Sequence, residues 1–221
     1  MLILTSTEAA NRMRIALRGS VLLWFGAWMA WLMRADTAVL QRIDTSRIFG
    51  ALRPVFEWYS DWGLFFFYVP FIALLVHGMY NRHPLSKLVG FAYVHAQVFG
   101  TLLLTYVIKI GCGRPRPHAA SVHDALCQAP SFAHAFHSFP SSHTVNVAVG
   151  AIFVLILLRS RVAAMLALTA TLLMALARVG TSEHFLSDVL AGLALGVAIA
   201  GVVMHVYLLP RWREIETATT Q

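Results

Sequence analysis

Charge is scarce in this chain. Only 12% of its 221 residues are Asp, Glu, Lys or Arg, where a soluble globular domain carries about 25%. With 58% hydrophobic residues, disorder is excluded. A well-solvated surface is excluded as well: a soluble protein of this size still exposes roughly 30% of the surface of its unfolded chain, and there is too little polar sequence to cover it. The expected solvent is a bilayer. Cysteine is scarce too. Two residues, Cys112 and Cys127, are too few for a disulfide scaffold and lack zinc-ligand spacing. Acid is the rarer charge, with 10 Asp+Glu against 17 Lys+Arg and a net charge of +7. That excess suits anionic headgroups, anionic substrates or topology signals. No basic run interleaved with aromatics appears, so no nucleic-acid partner is expected.

What the chain does have is apolar runs. A membrane helix needs roughly 20 apolar residues. Trp62–Tyr80, Leu88–Ile108 and Val189–Leu209 reach that length. Thr144–Leu158 and Val162–Ala177 are shorter and become adequate if helix continues into their polar ends. Gly19–Met33 lies between Arg18 and Arg34, whose long stems can snorkel. Arg12, Arg14 and Arg18 ahead of it resemble a signal peptide, but no small-x-small cleavage site follows, so it reads as a span. The expectation is therefore all-α: a six-transmembrane-helix bundle forming one domain over residues 1–221. Residues 34–61 and 109–143 read as long loops, 159–161 as a tight turn. Trp24, Trp28 and Trp31 share a helix face that suits lipid, and Pro70 suits a kink in the second span. The small residues of 191–201 suit close packing of the last helix.

Six spans put the two ends, 81–87 and 159–161 on one side with nine Lys/Arg, against eight on the other. If Lys109, Arg116 and Arg178 serve the chemistry considered next, nine remain against five. By the positive-inside rule both termini are then cytoplasmic, and 109–143 and 178–188 face outward.

Those two outward segments hold most of the unusual polarity. Lys109, Arg114 and Arg116 close the third span; Ser141, Ser142 and His143 open the fourth; Arg178, His184 and Asp188 lie between the fifth and sixth. Ionisable residues at span ends facing a bundle interior are functional candidates by default. His143 and His184 each precede an apolar helix, whose N-terminus favours anions. Lys109, Arg116 and Arg178 would add fixed positive charge, and Arg grips phosphate oxygens bidentately. Asp188 is the acid placed to offset this. Four residues after His184, it can hydrogen-bond one imidazole nitrogen and leave the other more nucleophilic. His143 can give a proton to the leaving oxygen. The set reads as phosphoryl transfer through a phosphohistidine, with positive charge in place of a metal. Other polar residues have plainer readings. His77, His95 and His205 suit hydrogen bonding within or beside helices, Arg114 a solvated loop charge, and Ser141 alone a helix N-cap. His118, His123, His134 and His137 match no standard metal-ligand spacing and read as a polar, substrate-facing loop.

The same residues resemble the signature of the type-2 phosphatidic acid phosphatase superfamily, which has three parts: K-x6-R-P, P-S-G-H and S-R-x5-H-x3-D. Here Lys109 is followed by six residues and Arg116-Pro117. Pro140-Ser141-Ser142-His143 follows, then Arg178, five residues, His184, three residues and Asp188. Ser142 stands where the pattern has Gly, and Ala177 where it has Ser. The resemblance implies His184 as nucleophile, Asp188 as its orienting acid and His143 as general acid. It implies Lys109, Arg116, Ser141, Ser142 and Arg178 as the phosphate-binding set. It further implies an integral-membrane, metal-independent lipid phosphatase with no cofactor, acting at the outer face of a bacterial cytoplasmic membrane. Undecaprenyl diphosphate, phosphatidylglycerol phosphate, phosphatidic acid and lipid A all remain open as substrates, with a slight preference for the first. The competing reading is an anion-binding transporter using the same basic pocket. Cys112 and Cys127 share the outward loop, where an oxidising compartment would let them pair; two free thiols are the alternative.

Overall fold

The computed structural model describes residues 4–119 and 126–219. Every regular element among them is helical. Five helices are long and apolar enough to cross a membrane: Ser6–Leu32, Arg47–Tyr80, Pro84–Ala119, Arg161–Gly180 and Leu186–Thr219. A sixth apolar helix, Ser142–Leu157, has 16 residues, short of the ~20 a lipid-facing span needs. Nearly all of it is buried by its neighbours, so it meets protein where a longer helix would meet lipid.

Helix α1 (Ser6–Leu32) starts at a capping box in which Thr5 and Glu8 satisfy each other's backbone N–H groups. Its outer face leaves Trp24, Phe25 and Trp28 exposed, as a lipid-facing stripe should. The expected loop 34–61 is instead two helices, α2 (Ala35–Thr45) and α3 (Arg47–Trp62), divided at Ser46, whose side chain caps α3. Their polar residues interrupt every apolar run, so hydropathy alone hides them; they are amphipathic, and α3 packs on the helix Arg161–Gly180. α4 (Phe65–Tyr80) contains Pro70. α5 (Pro84–His95) continues through a π-helical segment, Ala96–Leu104, into α6 (Thr105–Cys112). Gly113 ends α6 with φ +55°, and a Cβ there would lie 2.0 Å from the Ala129 carbonyl, so only glycine fits. α7 (Ser142–Leu157), α8 (Arg161–Gly180) and α9 (Leu186–Val203) follow. A second π-helical stretch, Met204–Leu208, joins α9 to α10 (Leu209–Thr219).

α7 packs against both α8 and α9, and α1 closes over α9. The close approach of α9 to the start of α7 depends on Gly192, where a Cβ would sit 2.1 Å from the Thr144 hydroxyl and 2.7 Å from the Ser141 carbonyl. The bundle has two different ends. At one, Leu4 bonds the Leu157 carbonyl, Ser6 bonds Glu216 and Arg159 bonds Glu8. Both described chain ends and the 159–161 turn thus meet there. At the other, the C-terminal ends of α6 and α8 meet the N-terminal ends of α7 and α9.

Candidate active site

Each charged residue singled out in the sequence sits at this second end and is withdrawn from water. Lys109, on the last turn of α6, is buried and donates from Nζ to the His137 carbonyl at 2.6 Å. Arg116 follows the Gly113 cap. It is buried, pairs with Glu183, and places Nη2 3.0 Å from the His134 ring. Arg178, on the last turn of α8, is buried with Nη2 3.6 Å from the same Glu183 carboxylate. The charges of Arg178, Lys109 and Arg116 all act on His143. Ser141 occupies the N-cap position of α7, yet its hydroxyl makes no capping bond. Ser142 opens the helix.

Four buried groups here have no hydrogen-bond partner among the described residues: the Nε of Arg116, the Nε of Arg178, the hydroxyl of Ser141 and Nδ1 of His184. Buried donors are almost always paired. The open donors on Arg116, Arg178 and Ser141, set among buried cations, are of the kind that suits an oxyanion.

His184 lies in the turn before α9, 1% exposed, with its backbone N–H on the Arg178 carbonyl at 3.1 Å. Burial pushes its imidazole down to about 3; the Asp188 carboxylate works against that shift, while Lys109 and Arg178 add to it. The expected Asp188–His184 hydrogen bond is not made. Nδ1 stands 3.7 Å from Oδ2, beyond hydrogen-bond range. The i, i+4 argument requires both residues on one helix, and α9 begins only at Leu186. Asp188 instead folds back at the third position of α9 and accepts the Phe185 N–H at 3.0 Å. It also accepts Ser138 at 2.6 Å and Arg114 at 2.5 Å.

Arg114 overturns its expected role as a solvated loop charge. It is 2% exposed. One Nη binds Asp188 and Ser187, the other binds Asp36 at 2.8 Å, and its plane lies 4.4 Å from the centre of the Phe185 ring. Asp36 in turn accepts the Ser187 N–H at 2.8 Å. Asp188 is thus not the only acid at this end: Asp36 and Glu183 share the work. Sequence reasoning missed Arg114, Asp36, Ser138 and Glu183. The available signal was charge balance, since acids in so apolar a chain call for buried cations.

The loop histidines divide. His137 is buried against Lys109 and the Ser131 carbonyl, His134 leans on Arg116, whose charge pushes its ring below the ordinary value, and His118 is exposed. His123 lies outside the described residues. Among those described, no group of three or more His, Cys, Asp or Glu is placed to hold a metal ion. Cys112 and Cys127 are joined by a disulfide.

Several known proteins are similar to this chain. The lipid A 1-phosphatase of Rhizobium johnstonii is 37% identical over 107 residues, and that of Rhizobium etli 36% over 107 residues. Each match covers 48% of this chain and less than half of the relative, 43% and 45%. In architecture the chain is similar to a transmembrane PAP2-type phosphatidylglycerolphosphate phosphatase from Bacillus subtilis. The TM-score is 0.57 at 21% identity, covering 86% of this chain and 93% of that one. Residues 88–212, which carry Lys109, Arg114, Arg116, His143, Arg178, His184 and Asp188, match the PAP2 superfamily, and the chain belongs to it.

Proposed function

We propose that this protein is an integral-membrane lipid phosphatase working through a phosphohistidine. The observation that carries the reading is the set of open donors on Arg116, Arg178 and Ser141, buried beside two imidazoles. Arg and Lys groups fixed around an oxyanion stabilise the charge that develops as phosphorus is attacked, and preorganised donors of this kind contribute much of enzymatic rate enhancement.

The lipid phosphate enters with its oxygens on Lys109, Arg116, Arg178, the Ser141 hydroxyl and the Ser142 backbone. His184, neutral because it is buried, attacks phosphorus through Nε2. The bond from phosphorus to the lipid oxygen breaks, and His143 supplies the proton that oxygen takes up. Water then attacks the phosphohistidine while His143 accepts its proton, and inorganic phosphate leaves. Negative charge on the bound phosphate and on Asp188 stabilises the imidazole as it becomes cationic. No metal or cofactor takes part. The site opens on the outer face of a bacterial cytoplasmic membrane, with six helices spanning it and both termini inside. The relatives' activity moves a phosphorylated glycolipid ahead of undecaprenyl diphosphate as the first substrate to assay.

Purified protein in detergent should release inorganic phosphate from such a lipid. His184→Ala should abolish release, and His143→Ala should lower it by roughly 10²–10³ or more, the range for losing a transition-state donor. Near-normal turnover in either variant would remove the mechanism. Anion uptake into proteoliposomes without phosphate release would establish the transporter instead.

A further inference from the structure

Beside His143, between α4, the π-helical segment and α7, lies a cavity of about 370 Å³. Its apolar rim includes the exposed side chains Val98 and Leu102, so it opens toward lipid. Its lining is mostly apolar, but Tyr68, Gln97, Thr101 and Asn146 share it with His143. Polar side chains at membrane depth are costly and mark function. Here the cost is not offset. Gln97 Oε1, Thr101 Oγ1 and Asn146 Oδ1 are buried with no hydrogen-bond partner among the described residues. Thr101 and Asn146 are each only 7% exposed.

The orientation of the Gln97 amide is set by its partner. Gln97 donates from Nε2 to the Asn146 carbonyl at 3.3 Å, which leaves its Oε1 as an acceptor. Asn146 is held by the Tyr68 hydroxyl, and whichever way that amide is set, one of its two polar atoms stays open. The Tyr93 hydroxyl adjoins Gln97 and is likewise buried without a hydrogen-bond partner among the described residues. The π-helical segment brings Gln97 and Thr101, four residues apart, to one cavity; π-turns are frequent at functional sites.

Resting on the phosphatase reading above, we propose that this cavity reads the part of the lipid next to its phosphate and selects lipids carrying a hydrogen-bond donor there. An amide N–H or hydroxyl would satisfy the Gln97 oxygen, and Thr101 and Asn146 would complete the contact. An N-acylated, hydroxylated amino-sugar phosphate offers such groups. A polyprenyl diphosphate offers none, and the ester carbonyls of a diacylglycerol phosphate only accept. A site built to hydrogen-bond a substrate discriminates strongly against analogues lacking that group, because its buried polar atoms then stay unpaired.

The test compares phosphate release from lipid A, phosphatidic acid and undecaprenyl diphosphate in mixed micelles, with p-nitrophenyl phosphate as a soluble control. Gln97→Leu and Thr101→Val should each lower kcat/KM for lipid A by about tenfold. They should leave undecaprenyl diphosphate and p-nitrophenyl phosphate within about twofold. Thr101→Val, which removes a buried hydroxyl without a partner, should also keep or raise the melting temperature. Equal losses on every substrate, a lowered melting temperature for Thr101→Val, or unchanged discrimination would overturn the proposal while leaving the phosphatase reading intact. No phosphate release by the unmodified protein from any of the four would overturn both.

Discussion

Asp188 and Glu183 stand five residues apart at the same end of the bundle and are treated in opposite ways. Asp188 is fully buried and saturated, with Arg114, Ser138 and the Phe185 N–H all donating to it. Glu183 is 34% exposed and reaches Arg116 and Arg178, both of which keep an unpaired Nε. One half of the site is therefore closed, its two buried carboxylates, Asp36 and Asp188, held by Arg114 and by neutral donors of the protein. The other half is joined through the part-exposed Glu183, which on the proposed mechanism an incoming phosphate displaces. On that mechanism the difference separates the groups that fix the geometry from those that meet the ligand.

The strongest way to break this comparison is through Arg114. Arg114→Leu leaves Asp36 and Asp188 buried without their shared cation. Removing one partner of a buried ion pair costs about 3–5 kcal/mol, so the melting temperature in detergent should fall sharply. Arg114→Lys keeps the charge but loses the planar fork that serves two carboxylates at once. It should fold, with kcat reduced more than KM is raised, because Arg114 acts on the reaction only by positioning Asp188. A wild-type melting temperature for Arg114→Leu would show that the closed half is not what holds the site together.

A smaller effect is expected from Glu183→Gln. Partly exposed ion pairs contribute up to about 1 kcal/mol. Removing this competing anion should lower the KM for substrate, and the inhibition constant of inorganic phosphate, by up to about fivefold, with kcat within about twofold. A raised KM would mean that Glu183 orients the two guanidinium groups rather than competing for them.

The same division decides what could be read from sequence. The long apolar runs announce themselves because lipid permits little else, and α5–α6, α8 and α9 lie where those runs do. Lys109, His143, Arg178 and His184 stand out because ionisable groups at span ends are expensive. Helices α2 and α3 are hidden, being amphipathic and free of long apolar stretches. Arg114 is hidden because an arginine in a loop defaults to water, and the partner that reverses the default, Asp36, lies 78 residues away on one of those hidden helices. The placement of Asp188 escaped for a local reason. The spacing to His184 is helical, but the helix starts between them, so the carboxylate turns to the backbone it caps. The polar cluster around Gln97 and Asn146 was invisible because it needs α7 set beside a π-helical turn that hydropathy cannot distinguish from ordinary helix.

The sharpest test of the open half expects no change at all. Burial and the neighbouring cations hold His184 well below an ordinary imidazole, at about 3. Its neutral form therefore persists as pH falls from 8 to 5, a range in which an exposed histidine with a value near 6.5 would take up its proton. In ¹⁵N-histidine spectra of the protein in detergent, the His184 signals, assigned by their loss in His184→Ala, should not titrate between pH 8 and 5. Saturating inorganic phosphate should bring its midpoint upward, because an anion on Lys109, Arg116 and Arg178 cancels the charge that opposes protonation. Titration near pH 6.5 in the free protein would mean that water reaches the imidazole, and the closed and open halves would then be one solvated cleft. A midpoint unmoved by phosphate would place the anion elsewhere and remove the link between those cations and His184.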